Sequence, residues 1–485
     1  MSMAAGLQDR PRLTRSGPAP KIGIVHLGPG AFFRAFNAVY TDEAMQQRGG
    51  DWGILAVSLR SPTSRDQLEP QAGVFTSVTL GPEGWRPQVI GSITHTLVAP
   101  EKPQAVIAAM SDPAVKIVSL TITEKGYCVT SSFGALDLNH PDIAHDLSNP
   151  DHPSSAIGFI VAALDARRRA GSKSFTVLSC DNIPSNGALA RALVLEFARL
   201  RDGDLADWIA RTATFPSTMV DRITPATTQD DIGKLAEMTG VHDAACVFHE
   251  RFRQWVIEDD FVDGRPAWGV AGAQFVTSVE AHETMKLRCL NGTHSTLAYL
   301  GYLAGNQTIA DAVADTDFAA LCTMLWRDEI IPSLTQPDGE DLPSYCLSLM
   351  KRFRDPAIQH RTWQIAMDGS QKLPQRLLGT IADNLAMGRE PRGLILAVAG
   401  WMRYVGGCDE NGYTIDVQDP FADALKDASD SAPNSADKVV ALLAFGDIFP
   451  ETLAKDTRFR EMLNEAYVSL AQRGASAAVR ALVAV

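Results

Sequence analysis

The chain has 485 residues, of which 45% are hydrophobic and 21% charged; this length suits two or three packed domains, and the composition excludes collagen-like, disulfide-scaffold and largely disordered proteins. Acidic residues outnumber basic ones by 57 to 44, and the net charge of −13 argues against binding to nucleic acid or to an anionic membrane surface. The seven cysteines are scattered without a Cys-x-x-Cys pair, which indicates reduced thiols in the cytoplasm and no zinc or redox site of that kind.

The N-terminal half alternates between strand-like and helix-like segments. Residues 1–20 are predicted to form a flexible tail, because they lack the apolar run of a signal peptide. A predicted strand over 21–27 ends in the turn Gly28-Pro29-Gly30, and a helix over 31–47 and a strand over 53–59 follow. This order is that of a βαβ unit, in which a helix joins two parallel strands.

The remaining elements predict two domains. Further strands are predicted over 74–80, 88–94, 116–123 and 175–179, and helices over 104–110 and 156–169. Strands that alternate with helices predict a mostly parallel sheet, so residues 21–280 are predicted to be an α/β, Rossmann-like dinucleotide-binding domain. After Glu280 the strand-like runs stop, and segments over 295–303, 377–387 and 439–445 predict a mainly α-helical, substrate-binding and catalytic domain over 281–485. The apolar stretch 393–402 is too short to span a bilayer.

The turn after the first strand is the candidate cofactor site. Glycines at the start of a helix let backbone N–H groups approach a pyrophosphate, and Gly28 and Gly30 fill the first two positions of a GxGxxG motif. Phe33 stands at the third position, so a plain tight turn is the alternative. The end of the second strand carries Arg60 where NAD enzymes usually have an acid. Arg60 suits the 2′-phosphate of NADP or a solvated surface position, so the choice between NAD and NADP stays open.

A second group of polar residues begins the predicted helical domain. Glu283, Lys286, Asn291 and His294 lie within twelve residues, and Asn291 and His294 share a helical face. Lys286 is roughly 80° away from His294 around an ideal helix, so their convergence would depend on the long lysine side chain and on bending near Gly292. A surface lysine beside capping or core polar residues is the alternative.

The spacing Lys286-x4-Asn291-x2-His294 resembles the signature of the mannitol dehydrogenase family, the polyol-specific long-chain dehydrogenases. The resemblance extends from about residue 21 to beyond residue 450. Other matching segments are 26–34, 123–127, 179–187, 215–222 and 363–372. It implies a metal-independent, NAD(P)-dependent secondary alcohol dehydrogenase, with NAD as the first choice of cofactor, that acts on a small sugar acid or polyol and is monomeric.

Within the family, the segments around Asn182, 254–259 and 363–376 resemble the members that interconvert D-fructuronate and D-mannonate. Polyol 2-dehydrogenases usually have arginine where this chain has Gln364, which argues against a neutral polyol as first choice. Mannitol or another neutral polyol remains the alternative substrate. A cofactor-binding sensor without catalysis is a further alternative, but the presence of Lys286, Asn291 and His294 argues against it. Zinc-dependent chemistry is disfavoured because the sequence has no cluster of cysteine and histidine ligands.

The resemblance also implies roles for individual residues. Lys286 would be the general acid in reduction and the general base in oxidation, with its pKa lowered by burial and neighbouring cations. Asn182 and Asn291 would donate hydrogen bonds to the developing oxyanion, and His294 would orient a substrate hydroxyl. Glu283 would relay protons, although a glutamate that stabilises a helix N-terminus is an equal explanation. The predicted substrate-binding residues are Asp221, Arg361 and Lys372, and the arginine and the lysine would bind a carboxylate. The predicted cofactor-binding residues are Gly28, Gly30, Ala31, Phe32, Phe33, Arg34, Glu124 and Lys125.

Overall fold

The computed structural model describes residues 10–130, 134–358 and 360–484. The chain forms two compact units, of which the first ends at Glu280 and the second begins at Ala281. Residues 1–9 of the predicted tail lie outside the described residues. From residue 10 onward this segment is bound to the first unit: Leu13 N donates to His242 O at 3.0 Å, and Arg15 donates to the carbonyls of Ala72 and Gly91 at 3.0 and 2.9 Å.

The first unit is built on a parallel five-stranded sheet of order β5-β2-β1-β6-β7. The strands are β1 Ile22–Leu27, β2 Gly53–Ser58, β5 Ile93–Val98, β6 Ile117–Leu120 and β7 Thr176–Ser179. The sequences of β1, β2 and β6 are almost continuous apolar runs, as expected of strands covered on both faces. Leu27 is in register with Val57 on one side and Leu120 on the other, so three strands end at the same level.

Helices cover both faces of this sheet. They are α1 Ala31–Ala35, α2 Asn37–Arg48, α3 Thr63–Leu68, α4 Pro103–Ser111, α5 Pro141–Ser148, α6 Ala156–Arg169, α7 Asn186–Arg201, α8 Gly203–Thr212 and α9 Gln229–Thr239. The predicted helix 31–47 is wrong in one respect: it is interrupted at Phe36, whose φ of −128° and ψ of −85° separate α1 from α2. The break turns Phe36 into the core beside Trp255.

Two smaller sheets complete the first unit, one of order β4-β3-β9 and one of order β11-β10-β8. Their strands are β3 Phe75–Thr79, β4 Arg86–Ile90, β8 Thr218–Asp221, β9 Val247–His249, β10 Gln254–Glu258 and β11 Gln274–Val276. The single strand predicted over 88–94 is therefore wrong, because β4 ends at Ile90 and β5 begins at Ile93 in a different sheet. The intervening Gly91 N donates to Asp42 Oδ1, which fixes the bend.

The second unit is helical, and its described residues contain only isolated β-bridges and no strand. After α10 Glu280–Met285 its helices are α11 Thr293–Leu303, α12 Ile309–Ala314, α13 Thr316–Met324, α14 Leu342–Phe353, α15 Thr362–Ala366, α16 Gly369–Leu373, α17 Gly379–Ala386, α18 Arg392–Tyr404, α19 Ala422–Ser431, α20 Ser435–Leu443, α21 Glu451–Ala454, α22 Thr457–Arg473 and α23 Ala475–Val483. Three π-helical segments join neighbouring helices: Lys286–Gly292, Leu325–Ile330 and Pro374–Leu378. Within the residues that the structure describes, no helix is both long enough and apolar enough to span a membrane.

Candidate active site

The turn Gly28-Pro29-Gly30 is clamped between the ends of two strands. Gly28 N donates to Val57 O at the end of β2, at 2.9 Å. Gly28 has a φ of +91°, and a Cβ added to it would lie 2.2 Å from the carbonyl oxygen of Thr121, just after β6. Only glycine therefore fits here without strain. Gly30 is exposed, and an added Cβ would meet no heavy atom closer than 4.0 Å, so space is open in front of this part of the turn.

Phe33, at the third position of the glycine motif, lies in the core beneath the turn. Its ring stacks on the imidazole of His26, with centroids 3.5 Å apart and planes within 8°. The His26 ring in turn bonds to Ser119 Oγ at 2.8 Å and to Thr121 Oγ1 at 2.9 Å. Burial lowers the pKa of His26 to about 3, so the imidazole is neutral. An aromatic pair thus supports the turn where other dinucleotide folds have a third glycine.

The other predicted cofactor residues at the start of α1 differ in their burial. Ala31 and Phe32 are half-buried at the start of α1, beside the turn. Arg34 is buried, and its Nη1 lies 3.5 Å from both Pro29 O and Gln67 Oε1. Arg34 therefore braces the turn from inside the unit.

Asp181 shapes the loops at the carboxyl ends of β6 and β7. Its carboxylate accepts hydrogen bonds from Ile122 N at 3.1 Å, Thr123 N at 2.8 Å and Tyr127 Oη at 2.8 Å. Burial raises the pKa of Asp181. These bonds hold Thr123 at a φ of +63°, directly before the short 3₁₀ helix that carries the exposed Glu124 and Lys125.

Asn182 is exposed on the loop that follows β7, next to Asp181. The same loop is anchored by Asn186, whose amide donates to Asp181 O at 2.9 Å and to Thr218 O at 2.8 Å. Thr218 begins β8, and Asp221, which is 4% exposed, ends it. Sequence reasoning missed Asp181 and Asn186; the available signal was their position on either side of Asn182, directly after a predicted strand.

Arg60, two residues beyond β2, is paired with Asp142 in the first turn of α5. Its Nη1 lies 3.3 Å from Asp142 Oδ1, and Nη2 contacts Oδ2. Arg60 is therefore an exposed surface arginine that is paired with an acid, and its contact with a 2′-phosphate stays a prediction.

One group of potential metal ligands exists among the described residues: Cys128, His140 and Asp142, whose ligand atoms lie within 4.8 Å of one another. Two of these three side chains already have other partners. Asp142 pairs with Arg60, and His140 Nδ1 accepts the Asp142 backbone N–H at 3.2 Å. Burial raises the pKa of Cys128 to about 11. The group has three protein ligands at most, and Asp142 and His140 already have other partners, so it does not resemble a closed structural zinc site.

In the second unit, Lys286 begins a π-helical segment that ends at Gly292. In an ideal α-helix Lys286 and Asn291 would be about 140° apart, but i→i+5 hydrogen bonding places residues five apart on successive turns of the same side. Gly292 itself has helical dihedrals, with a φ of −62° and a ψ of −48°, so the local distortion of the helix is the π turn from Lys286 to Gly292. The convergence of Lys286 with Asn291 and His294 stays a prediction.

Gly292 allows a second π segment to pack closely. A Cβ at Gly292 would lie 2.8 Å from the carbonyl oxygen of Arg376, in the segment Pro374–Leu378. Arg376 also donates from Nη1 to Ser295 Oγ at 3.2 Å, next to His294 in α11. The lysine, the asparagine and the histidine thus lie along one backbone stretch that is braced by Arg376.

His294 lies in a buried and strongly cationic environment. It is 6% exposed, its ring centroid lies 4.6 Å from that of Phe353, and the His360 ring meets it edge-on at 5.1 Å. Burial, followed by the charges of His360, Arg352 and Arg376, lowers the pKa of His294 well below its usual value. The imidazole is consequently neutral and is available to a hydroxyl as donor or acceptor.

The same two arginines also lower the pKa of His360. Burial, then Arg352, Arg376 and Lys372, lowers the pKa of His360 to about 4. Lys372 is half-buried and donates from Nζ to Met367 O at 2.5 Å, whereas Arg361 is exposed at the start of α15. Of the two cations predicted to bind a carboxylate, the structure places Lys372 in this cluster.

Sequence reasoning missed Arg352, Arg376 and His360. Arg352 is 8% exposed, and arginine is rarely found at such burial. A signal for Arg352 was its place at the end of an amphipathic helix, directly before Phe353, on the face that carries Leu349. Glu283, the predicted proton relay, is half-buried on α10, three residues before Lys286.

Comparisons with known proteins cover both units. The model for the Rossmann domain of mannitol dehydrogenase matches residues 22–270, and that for the mannitol dehydrogenase C-terminal domain matches residues 278–471. D-mannonate oxidoreductase of Escherichia coli strain K12 is 48% identical over 464 residues, which are 95% of each sequence. Mannitol 2-dehydrogenase of Phaeosphaeria nodorum is 40% identical over 95% of this chain and 81% of its own length. The structure of Pseudomonas fluorescens mannitol 2-dehydrogenase with NAD and D-mannitol matches with a TM-score of 0.84 at 39% identity, over 99% of this chain and 98% of that one.

Proposed function

The chain belongs to the mannitol dehydrogenase family, and from this premise we propose that this NAD(P)-dependent oxidoreductase interconverts D-fructuronate and D-mannonate with NAD(H). The observation that carries the choice of a sugar acid is the cationic cluster around His294 and His360. Arg352 and Arg376 act on both imidazoles, and Lys372 acts on His360. The carboxylate of a hexuronate is attracted to such a group of cations, whereas a neutral polyol carries no charge that is.

Arginine is the residue best suited to that carboxylate. Its planar guanidinium donates two parallel hydrogen bonds to a carboxylate, and such charge-assisted bonds are roughly twice as strong as neutral ones. Arg352 precedes Phe353, whose ring packs against that of His294, and Arg376 donates to Ser295, which follows His294 in the chain. We propose Arg352 and Arg376 as carboxylate contacts, with Lys372 as a supporting charge and Arg361 outside the cluster.

The chemistry needs a proton donor and hydrogen-bond donors where negative charge develops on the carbonyl oxygen. Bound reduced nicotinamide supplies the hydride. We assign the proton to Lys286, whose ammonium group protonates the oxygen in reduction and whose neutral amine accepts the hydroxyl proton in oxidation. Asn291, one π turn away, and Asn182 donate amide N–H groups to the oxygen. The neutral His294 orients a substrate hydroxyl, Asp221 binds another, and Glu283 passes protons between Lys286 and water.

The first unit suits a dinucleotide. Open space in front of Gly30 and the positive φ of Gly28 fit a backbone that approaches a pyrophosphate closely. We propose that the cofactor lies on the turn from Gly28 to Phe32, and that Glu124 and Lys125 contribute where the β6 loop approaches the nicotinamide. Phe33 and Arg34 serve this site indirectly, by supporting the turn from below.

We expect Gly28→Ala to weaken NADH binding by about tenfold or more and to lower the melting temperature. The added Cβ would lie 2.2 Å from Thr121 O, and a positive φ costs a non-glycine residue about 1 to 3 kcal/mol. Fluorescence titration with NADH measures the first effect and thermal unfolding the second. Gly203→Ala is the matched control, since a Cβ there meets nothing within 4 Å. If Gly28→Ala binds NADH as the control does, the turn is not the cofactor site.

A substrate panel tests the proposed function. Nicotinamide absorbance is followed with D-mannonate, D-altronate, D-mannitol and D-arabinitol, each with NAD and NADP. We expect mannonate with NAD to give the highest kcat/KM. Good oxidation of mannitol without turnover of mannonate would refute the sugar-acid proposal and favour the polyol alternative, which the relationship to mannitol 2-dehydrogenases supports.

We also propose a cytoplasmic, monomeric enzyme. All seven cysteines are free thiols, and six of them are buried, which suits a reducing compartment. The measured mass of the purified protein in solution tests the oligomeric state, with one chain expected per particle.

A further inference from the structure

The carboxyl end of β2 is the place where a dinucleotide fold distinguishes its cofactors. An acid there binds the ribose hydroxyls of NAD, whereas a nearby arginine accommodates the 2′-phosphate of NADP. In this unit Gly28 N donates to Val57 O, so the glycine turn and the end of β2 are adjacent. The chain has no acid over residues 57–60, and Arg60 stands in its place.

An acid from a different element, α5, contacts Arg60 near the end of β2. Asp142, in the first turn of α5, receives two contacts from the Arg60 guanidinium, one of them at 3.3 Å between Nη1 and Oδ1. Its side chain is 17% exposed, against 64% for Arg60. The hydrogen bond from Arg60 keeps the pKa of Asp142 below its usual value, and the helix N-terminus also favours its charge. The carboxylate is therefore held charged and fixed beside the end of β2.

We propose that Asp142 is the residue that selects NAD over NADP, positioned by Arg60. The proposal rests on the proposed function only in that the cofactor is a nicotinamide dinucleotide. A carboxylate has about four lone-pair positions, so the two contacts from Arg60 and the hydrogen bond from Ser154 leave one acceptor position for a ribose hydroxyl. A 2′-phosphate that approached Arg60 would meet the negative charge of Asp142 and would have to displace it from the guanidinium.

Asp142→Asn tests this directly, because it keeps the size of the side chain and removes its charge. Dissociation constants for NADH and NADPH are measured by reduced-nicotinamide fluorescence, without any sugar substrate. We expect the unmodified enzyme to bind NADH at least about tenfold more tightly than NADPH, and the variant to shift this ratio at least about tenfold toward NADPH. Adding Arg60→Gln to the variant should abolish the gain in NADPH binding.

Two further variants keep the test decisive. Asp263→Asn removes an acid paired with Lys173 and Lys116, the latter at the amino end of β6, and should leave the ratio unchanged. Arg60→Gln alone should weaken NADH binding without improving NADPH binding. The proposal is overturned if Asp142→Asn, folded by its melting curve, keeps a ratio within twofold of the control, or if Arg60→Gln alone favours NADPH. Failure to turn over mannonate would refute the proposed function and leave these binding results intact.

Discussion

Replacing Lys286 with alanine is expected to lower kcat for mannonate oxidation by about 10⁴-fold. The lysine is 8% exposed and begins the π turn that contains Asn291. General acid–base catalysis by a positioned group contributes about 10² to 10⁴, and electrostatic stabilisation of the oxyanion about 10² to 10³. The variant loses both contributions. NADH affinity should stay within about twofold of the original, because the cofactor turn is built by the first unit.

Three measurements separate this role from a structural one. Steady-state kinetics give kcat, fluorescence titration gives the NADH dissociation constant, and the pH profile of kcat/KM should lose its basic group in the variant. Lys351→Ala is the matched control, since Lys351 is an exposed lysine of the same unit and should leave kcat unchanged. A Lys286→Ala enzyme with near-normal turnover would remove the lysine from the mechanism.

Replacing Arg352 with glutamine is expected to raise KM for mannonate by about 10- to 100-fold and to leave KM for any neutral polyol that the enzyme oxidises nearly unchanged. A hydrogen bond to a charged group contributes about 1.5 to 3 kcal/mol, which corresponds to this range. Only a substrate with a carboxylate can form this hydrogen bond with Arg352. Arg354→Gln is the matched control, because Arg354 is exposed two residues further along.

A second measurement on Arg352→Gln tests the electrostatics of the cluster. Burial and, after it, the charge of Arg352 lower the pKa of His360 to about 4, so removal of that charge should raise this pKa. An NMR titration of the histidine rings in both proteins measures the change. If KM for mannonate and the pKa of His360 are both unaltered, Arg352 is not part of the substrate site.

The sequence was sufficient for the architecture of both units. Apolar runs such as Ile22–Leu27 and Gly53–Ser58 belong to a buried parallel sheet, because strands covered on both faces need apolar residues at every position. The strands could not be assigned to sheets in this way. The predicted strand over 88–94 has continuous strand propensity, and only the pairing of β4 with β3 and of β5 with β2 divides it.

The candidate site was predictable where its residues are close in sequence. Lys286, Asn291 and His294 became candidates from their spacing and from the family resemblance, but the π turn that contains Lys286 and Asn291 leaves no trace in helical periodicity. Arg352 lies more than fifty residues beyond His294, so folding alone brings them together. Phe33 shows the opposite case: the incomplete glycine motif is explained by the stacked His26, a contact that no local pattern reveals.

Reduction of D-fructuronate with NADH that carries deuterium at its transferable position is the decisive test of the proposed hydride transfer. We predict mannonate with one deuterium at the former carbonyl carbon, formed in a one-to-one ratio with oxidised cofactor, and far slower labelling of mannitol from fructose under the same conditions. Rapid labelling of mannitol with none in mannonate would contradict the proposed function.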